Sequence, residues 1–172
     1  MRDTLASALA DGIALRAETA ADWEFVVSLY AATRAAEMAP VHWPQGALQA
    51  FLRCQCELQR AHYRTHYEGA DFWVLEREAG PIGRLYLHVR PAEIRIMDIA
   101  LLPAECGRGL GTRLLKALLG HAQSQQASVT LHVEPLNPAQ RLYRRLGFRL
   151  NEDRGVYHFL EWRYYPAWIG SR

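Results

Sequence analysis

Cysteine is scarce in this chain of 172 residues, and the three that occur, Cys54, Cys56 and Cys106, make an odd number. None belongs to a Cys-x-x-Cys pair, so neither a disulfide framework nor a thiol redox motif is expected. The sequence also lacks any stretch of ~20 apolar residues, the length that a membrane span requires. Acidic residues interrupt the N-terminal segment too early for a signal peptide. We therefore expect a cytoplasmic protein with no membrane partner.

An excess of charge of one sign is also missing. The formal net charge is +2, and the basic residues are dispersed along the chain, so nucleic acid is not expected as a partner. Half of the residues are hydrophobic and 22% are charged, which suits one ordinary core and leaves no room for a second large domain. The prediction is a single domain over residues 1–172.

Hydrophobic patterning and turn residues predict seven strands and about four helices. Three of the strands follow one another before a glycine-rich turn, so we expect a mixed α/β fold whose sheet is largely antiparallel at the start. The expected strands are Ile13–Ala17, Phe72–Arg77, Ile82–Arg90, Ile94–Leu102, Val129–Val133, Phe148–Leu150 and Val156–Trp162. The expected helices are Trp23–Thr33, Ala47–Tyr67, Arg113–Leu119 and Pro138–Leu146.

The segment Cys106–Thr112 joins a strand to a helix and contains glycine at positions 107, 109 and 111. Such a turn points several backbone N–H groups at one spot, where the helix dipole adds partial positive charge. The turn therefore predicts a diphosphate site. The glycine spacing differs from Gly-x-Gly-x-x-Gly, and the next strand has no terminal acidic residue at the required spacing of about 20 residues, which argues against a dinucleotide fold. The missing lysine argues against a P-loop.

A second motif lies about thirty residues later, in Asn137–Phe148. Asn137 is placed to cap a helix, Pro138 occupies its first turn, and Gly147 follows its end. Together with the glycine turn, this segment resembles the GNAT superfamily of acyl-CoA-dependent N-acyltransferases. The resemblance implies the GNAT fold, acetyl-CoA as co-substrate, and transfer of an acetyl group to the amine of a small molecule or a peptide.

The resemblance also implies which residues contact the coenzyme. These are Ile99, Ala100, Leu101, Cys106, Gly107, Arg108, Gly109, Leu110, Gly111, Thr112, Asn137 and Tyr143. Cys106 departs from the family, which usually has Arg or Gln there, but main-chain N–H groups hold most of a diphosphate. A binding or regulatory module that keeps the acyl-CoA site without turnover remains the alternative.

Three tasks of acetyl transfer are assigned to candidate residues. Tyr143 matches the family's catalytic tyrosine, and a phenol stays protonated at pH 7, so it is the expected acid for the departing thiolate. Backbone N–H groups at Ile99–Leu101 are expected near the thioester carbonyl, by resemblance to the family. His132 shares a strand face with Thr130 and Glu134 and is one candidate base, although a structural hydrogen bond is an equal explanation.

Asp98 is the second candidate base, because a carboxylate among apolar residues needs partners or a raised pKa. An arginine partner is the commoner outcome. No Cys-His or Ser-His pairing is motivated by the spacing, so direct transfer in a ternary complex is expected.

The resemblance places the acceptor site on early helices, where Gln55, Gln59, His62 and Tyr63 are its expected border. Ordinary amphipathic packing is the alternative for each of them. His62 and His66 have the spacing of a zinc helix, but Tyr63 replaces the expected glutamate and no third ligand is apparent, so no metal is expected. The aromatic segment Trp162–Ile169 suggests either a homodimer contact or packing over the core.

Overall fold

A computed structural model describes residues 1–9 and 12–164 of the chain. The described helices are α1 (Arg2–Ala8), α2 (Trp23–Met38), α3 (Ala47–His66), α4 (Leu110–Ser124) and α5 (Gln140–Arg145). The strands are β1 (Ala14–Ala17), β2 (Asp71–Arg77), β3 (Gly80–Arg90), β4 (Glu93–Leu101), β5 (Ser128–Val133), β6 (Arg149–Asp153) and β7 (His158–Trp162). None of these helices combines the length and the apolarity needed to cross a bilayer.

All seven strands belong to one sheet, in the order β1-β2-β3-β4-β5-β7-β6. Only β4 and β5 are parallel, and the other neighbouring pairs are antiparallel. The parallel pair requires a long crossover, which α4 supplies. The predicted mixed α/β architecture with a largely antiparallel sheet is confirmed.

The two faces of the sheet carry different helices. The larger core packs the leucines of α1 and α4 against inward-facing residues of the central strands, including Leu85, Ile94 and Val129. A smaller cluster on α2 and α3, formed by Val26, Tyr30, Leu52 and Cys56, belongs to a separate core. The sheet therefore separates an apolar core on the α4 side from a more polar layer beneath α2 and α3.

The strands β4 and β5 pair over only part of their lengths. Their register runs from Glu93 opposite Ser128 to Ile96 opposite Leu131, and no pairing follows. In addition, the pairing of β4 with β3 shifts by one residue, so that Met97 forms a bulge between Ile96 and Asp98. The sheet thus opens between β4 and β5 from the bulge onward. The site described below lies at this opening.

Close packing of β3 on β4 depends on Gly83. A Cβ atom at Gly83 would lie 2.7 Å from the carbonyl oxygen of Ala100 and 2.6 Å from Cδ2 of Leu101. Any side chain there would push the end of β4 away from β3. Gly83 therefore holds in place the segment of β4 that has no partner on β5.

The sequence patterns located most elements within a few residues, and the main differences are in the helices. Helix α1 is an additional helix that the sequence patterns did not predict, and Leu5 within it and Leu9 directly after it are fully buried. Helix α2 continues past its predicted end to Met38, and helix α4 extends beyond both ends of its predicted core, from Leu110 to Ser124. Helix α5 begins at Gln140 rather than Pro138, because the preceding turn has a tighter hydrogen-bond pattern.

Candidate active site

The glycine turn leaves backbone donors free of side chains. Gly107 and Gly109 adopt φ angles of 73° and 83°, the left-handed region that glycine enters most readily, and a Cβ at either position would meet no atom within 4 Å. Gly109 is the N-cap of α4, and no side chain caps the helix. The first N–H groups of a helix have no partner within it, so those of residues 110–112 point out of its end. This end therefore fits an anionic group such as a diphosphate.

The turn lies beside both β4 and α5. A Cβ at Gly111 would come within 3.8 Å of Cδ2 of Leu142 on α5 and 4.0 Å of Cδ1 of Leu101 on β4. Cys106 and Arg108 are exposed, and Arg108 lies 3.5 Å from the buried carboxylate of Glu105. The backbone N–H groups at the start of α4, the end of β4 that has no partner on β5, and helix α5 are therefore close together.

A cleft of about 420 Å³ opens on the α2 and α3 side of the sheet, where β4 and β5 separate. It brings together residues from α2, α3, β3, β4, β5 and α5. Of the residues selected from the sequence, those that line it are Gln59, His62, Tyr63, Asp98, Ile99, Ala100, His132, Asn137 and Tyr143. Gln55, Leu101 and the glycine turn are not part of its lining.

Tyr143 reaches this cleft from α5. Its side chain also belongs to the large core, is only 5% exposed, and packs edge-on against Phe148 with ring centroids 5.5 Å apart. Burial, with a smaller contribution from the charge of Asp98, raises the pKa of Tyr143, so its hydroxyl stays protonated at neutral pH. None of the described residues hydrogen bonds to this hydroxyl, which leaves it free to donate to a substrate.

Both ends of α5 are fixed by local hydrogen bonds. Oδ1 of Asn137 accepts the N–H of Ala139 at 2.9 Å and so holds the turn that leads into the helix, but the N-cap of α5 is Ala139 and not Asn137 as predicted. At the other end, the N–H groups of Gly147 and Phe148 donate to the carbonyls of Arg144 and Tyr143, a Schellman motif. The helix that carries Tyr143 is therefore held at both ends.

Asp98 pairs with a buried arginine from β3. Nη2 of Arg84 lies 2.6 Å from Oδ2 of Asp98 and also donates to Oε1 of Gln59 at 3.1 Å. Arg84 is only 3% exposed, and its guanidinium stacks against the ring of Tyr86. The other carboxylate oxygen, Oδ1 of Asp98, accepts no hydrogen bond from the described residues. One face of Asp98 is thus held by the protein and the other is open to the cleft.

His132 faces two arginines instead of a carboxylate. Nη2 of Arg95 lies 2.7 Å from Nδ1 of His132, and Nη1 of Arg154 lies 3.5 Å from Nε2. Partial burial and the positive charges of these two arginines lower the pKa of His132, so the ring is neutral at pH 7. A guanidinium can only donate, so Nδ1 is the acceptor in this pair and its lone pair is already occupied.

Tyr63 fixes the bulge in β4. Its hydroxyl donates to the carbonyl of Met97 at 3.0 Å, which satisfies an acceptor at the point where the ladder to β3 shifts register. Burial raises the pKa of Tyr63, so the hydroxyl remains a donor at neutral pH. This contact links α3 to the backbone next to Asp98.

Helical periodicity explains why Gln59 and Tyr63 of α3 reach the cleft. Leu52 and Cys56 are buried, and Gln59 and Tyr63 continue the same face at intervals of three and four residues. Leu58 lies outside this face and is 59% exposed. At about 100° per residue, Gln55 and His62 both lie to one side of the face, and His62 lines the cleft whereas Gln55 does not.

Several residues that line the cleft were not selected from the sequence as site candidates, chiefly arginines, carboxylates and tyrosines. Arg34 pairs with Glu134 across the cleft and with Glu37 at 3.0 Å. The alternation of β4 offered a signal for Arg95, since a charged residue between Ile94 and Ile96 must point away from the apolar core. The missed residues are Tyr30, Arg34, Glu37, Tyr67, Arg84, Arg95, Glu134 and Tyr157.

No group of three His, Cys, Asp or Glu side chains suited to a metal ion occurs within residues 1–9 and 12–164. His62 and His66 instead stack their rings, with centroids 4.3 Å apart. In the C-terminal aromatic segment, Trp162 packs against the large core and near Gly147. The rest of that segment, from residue 165 onward, lies outside the described residues.

The fold thus combines a parallel strand pair that opens beside a glycine turn with a tyrosine at the opening. Residues 27–148 match the acetyltransferase (GNAT) family, and this match covers most of the chain. The chain belongs to this family, and the resemblance noted from its two motifs is confirmed.

Solved structures share the fold at low sequence identity. The PaiA N-acetyltransferase of Thermoplasma acidophilum, in complex with coenzyme A, is 16% identical with a TM-score of 0.67, over 90% of this chain and 100% of that one. A GCN5-related N-acetyltransferase of Rhodopseudomonas palustris is 17% identical with a TM-score of 0.61, over 90% and 97%. Naa50 of Arabidopsis thaliana, with the bisubstrate analogue CoA-Ac-MVNAL, is 15% identical with a TM-score of 0.57, over 90% and 100%. No curated protein sequence matches the chain.

Proposed function

We propose that this protein transfers an acetyl group from acetyl-CoA directly to a primary amine of a small molecule or a peptide. The observation that supports the proposal most strongly is the opening between β4 and β5. It has an uncapped helix end beside it and a protonated tyrosine within it. Membership of the family supports acetyl-CoA as the source of the acyl group.

The coenzyme would be held mainly by backbone donors. Residues 106–112 bind the diphosphate through N–H groups at the start of α4, where the exposed Arg108 adds positive charge. The strand segment Ile99–Leu101 has no partner on β5, so backbone groups on its free edge are open to the pantetheine arm and the thioester carbonyl. Acetyl-CoA supplies the activated acyl group as a thioester.

Tyr143 would protonate the departing thiolate. Its hydroxyl is protonated, makes no hydrogen bond to a described residue, and lies where the strands separate. The direct-transfer scheme assigns no covalent role to the protein. The exposed Cys106 belongs to the diphosphate turn rather than to the cleft.

Asp98 is the better of the two candidate bases. Asp98 lines the cleft and its Oδ1 accepts no hydrogen bond from the described residues, whereas Nδ1 of His132 already accepts one from Arg95. Asp98 would take the proton from the incoming ammonium, directly or through a water molecule. Arg84 and Gln59 would then act as positioning residues, since they hold the opposite side of the carboxylate.

The proposal is tested by measuring thiol release from acetyl-CoA over a panel of amines, alongside calorimetry with acetyl-CoA alone. An acetyltransferase shows amine-dependent thiol release. Binding without transfer to any amine would indicate the regulatory module instead, and no association with any acyl-CoA would contradict both. For the base, Asp98→Asn is expected to lower kcat about 10²-fold or more, while His132→Gln retains most of kcat.

A further inference from the structure

The arginines that line the cleft differ in how closely carboxylates pair with them. Arg84 lies 2.6 Å from a carboxylate oxygen of Asp98, and Arg34 lies between two carboxylates, those of Glu37 and Glu134. Arg95 has a longer ion pair, because its Nη1 lies 3.9 Å from Oε1 of Glu93, and Glu93 also lies 3.8 Å from Arg90. Glu93 also accepts a hydrogen bond from the hydroxyl of Thr130 at 2.6 Å, so its charge is shared.

Uncharged groups surround the guanidinium of Arg95 more closely than the carboxylate of Glu93 does. It lies 6.0 Å from the ring centre of Tyr67 and 5.7 Å from that of Phe159. Its closest polar partner is the neutral ring of His132. The side chain is only 18% exposed, so water screens it less than a surface arginine.

Arg95 also lies on the same face of the sheet as Asp98. In the ladder to β3, Arg95 is opposite His88 and Asp98 is opposite Tyr86. Tyr86 and His88 are two positions apart in β3, so they point to the same face of the sheet. At a rise of about 3.3 Å per residue, the two Cα atoms are about 10 Å apart or less along the strand. An arginine side chain spans much of that distance, so a small acceptor can reach both groups.

We propose that the acceptor is a small amine that also carries a carboxylate, and that Arg95 and His132 bind this carboxylate while the amine faces Asp98. The proposal rests on the proposed acetyl transfer and names its acceptor class. A guanidinium held by aromatic rings and an imidazole together provide donors for a carboxylate without moving the backbone.

The test compares acceptors that differ only in this charge: β-alanine with β-alaninamide, and a dipeptide with its C-terminal amide. Rates are expressed per concentration of free amine. We expect the wild-type kcat/KM to favour the acid by about 10- to 100-fold, the value of a charged hydrogen bond. Arg95→Gln should abolish this preference by slowing the acid more than the amide.

A matched control and a second readout separate this role from a structural one. Arg154 flanks the same histidine but is neutralised by Glu152 at 2.7 Å and lies outside the cleft, so Arg154→Gln should keep the preference. In NMR titrations without coenzyme, the acid should raise the pKa of His132, because an anion offsets the charges of Arg95 and Arg154. The amide should not.

Results that contradict the carboxylate proposal can be distinguished from results that contradict acetyl transfer. Transfer to acids and amides at equal kcat/KM in the wild type would overturn the carboxylate proposal and leave acetyl transfer intact. A preference unchanged in Arg95→Gln would also overturn it. Acetyl-CoA binding without transfer to any acceptor would instead count against the proposed function, and the carboxylate proposal would fall with it.

Discussion

Replacing Tyr143 by phenylalanine isolates the role of one hydroxyl group. The ring keeps its contact with Phe148, and the lost hydroxyl has no hydrogen-bond partner among the described residues, so no buried group is left unpaired. We therefore expect the free energy of unfolding to change by less than about 1 kcal/mol. Acetyl-CoA affinity should also persist, because backbone donors at the glycine turn bind the diphosphate.

The expected loss of turnover follows from the two acidities. A positioned general acid contributes about 10²- to 10⁴-fold. The pKa of Tyr143 is raised above the ordinary phenol value of about 10, whereas a thiol has a reference value near 8.5. Full proton transfer to the thiolate is therefore uphill by about 2 kcal/mol or more. We expect a kcat reduction near the lower end of the range, about 100-fold.

The assay is thiol release at saturating acetyl-CoA and amine, with calorimetry for coenzyme affinity and thermal unfolding as the control for folding. A folded Tyr143→Phe protein with wild-type kcat would refute the assignment of Tyr143 as the acid. The raised pKa adds a test, because Tyr143 should not ionise between pH 7 and about 10. A wild-type rate that falls in this window, and does not fall in the variant, would contradict the burial argument.

Three further predictions concern coenzyme binding, the sheet and pH. Gly109→Ala should weaken acetyl-CoA binding about 10-fold in calorimetry, because alanine strains the left-handed backbone at φ 83° that presents the amide groups. Gly120→Ala on α4 should leave affinity unchanged and add about 0.5–1 kcal/mol of stability. Gly83→Ala should destabilise the fold by about 1–3 kcal/mol in urea unfolding, and a smaller effect would contradict the close approach to Ala100. The pKa of His132 is lower in the folded than in the unfolded state, so as the pH falls the unfolded state takes up the His132 proton at a higher pH than the folded state does. The free energy of unfolding should therefore decrease as the pH drops below about 6.5. His132→Gln should lose less stability over that range, and an equal loss would refute this cause.

Local sequence signals were sufficient for the parts of the site that are local in the chain. The glycine turn and the short helix after Asn137 are defined by residues within one or two turns of each other, and the structure contains both, with the helix starting at Gln140. The mixed, largely antiparallel sheet was also predicted, because consecutive strands joined by short turns usually pair with each other. These features depend on backbone conformation, which short segments specify.

The electrostatic partners could not be assigned from the sequence, because they join distant segments. Asp98 meets Arg84 across a strand pair, and His132 meets Arg95 from 37 residues away. Each contact depends on register, and a shift of one residue reverses the face on which a side chain lies. The sequence could propose that Asp98 needs an arginine, but only the pairing of β3 with β4 identifies it.

The bulge at Met97 is the clearest case of such dependence on register. In a regular strand, residues three apart lie on opposite faces, so Arg95 and Asp98 would be separated by the sheet. The bulge adds one residue to β4, and both side chains consequently face the cleft. Tyr63 holds the carbonyl of Met97 at this point. The position of the candidate base therefore depends on one extra residue in β4 and on a hydroxyl group from α3, and neither can be recognised in the sequence of β4 alone.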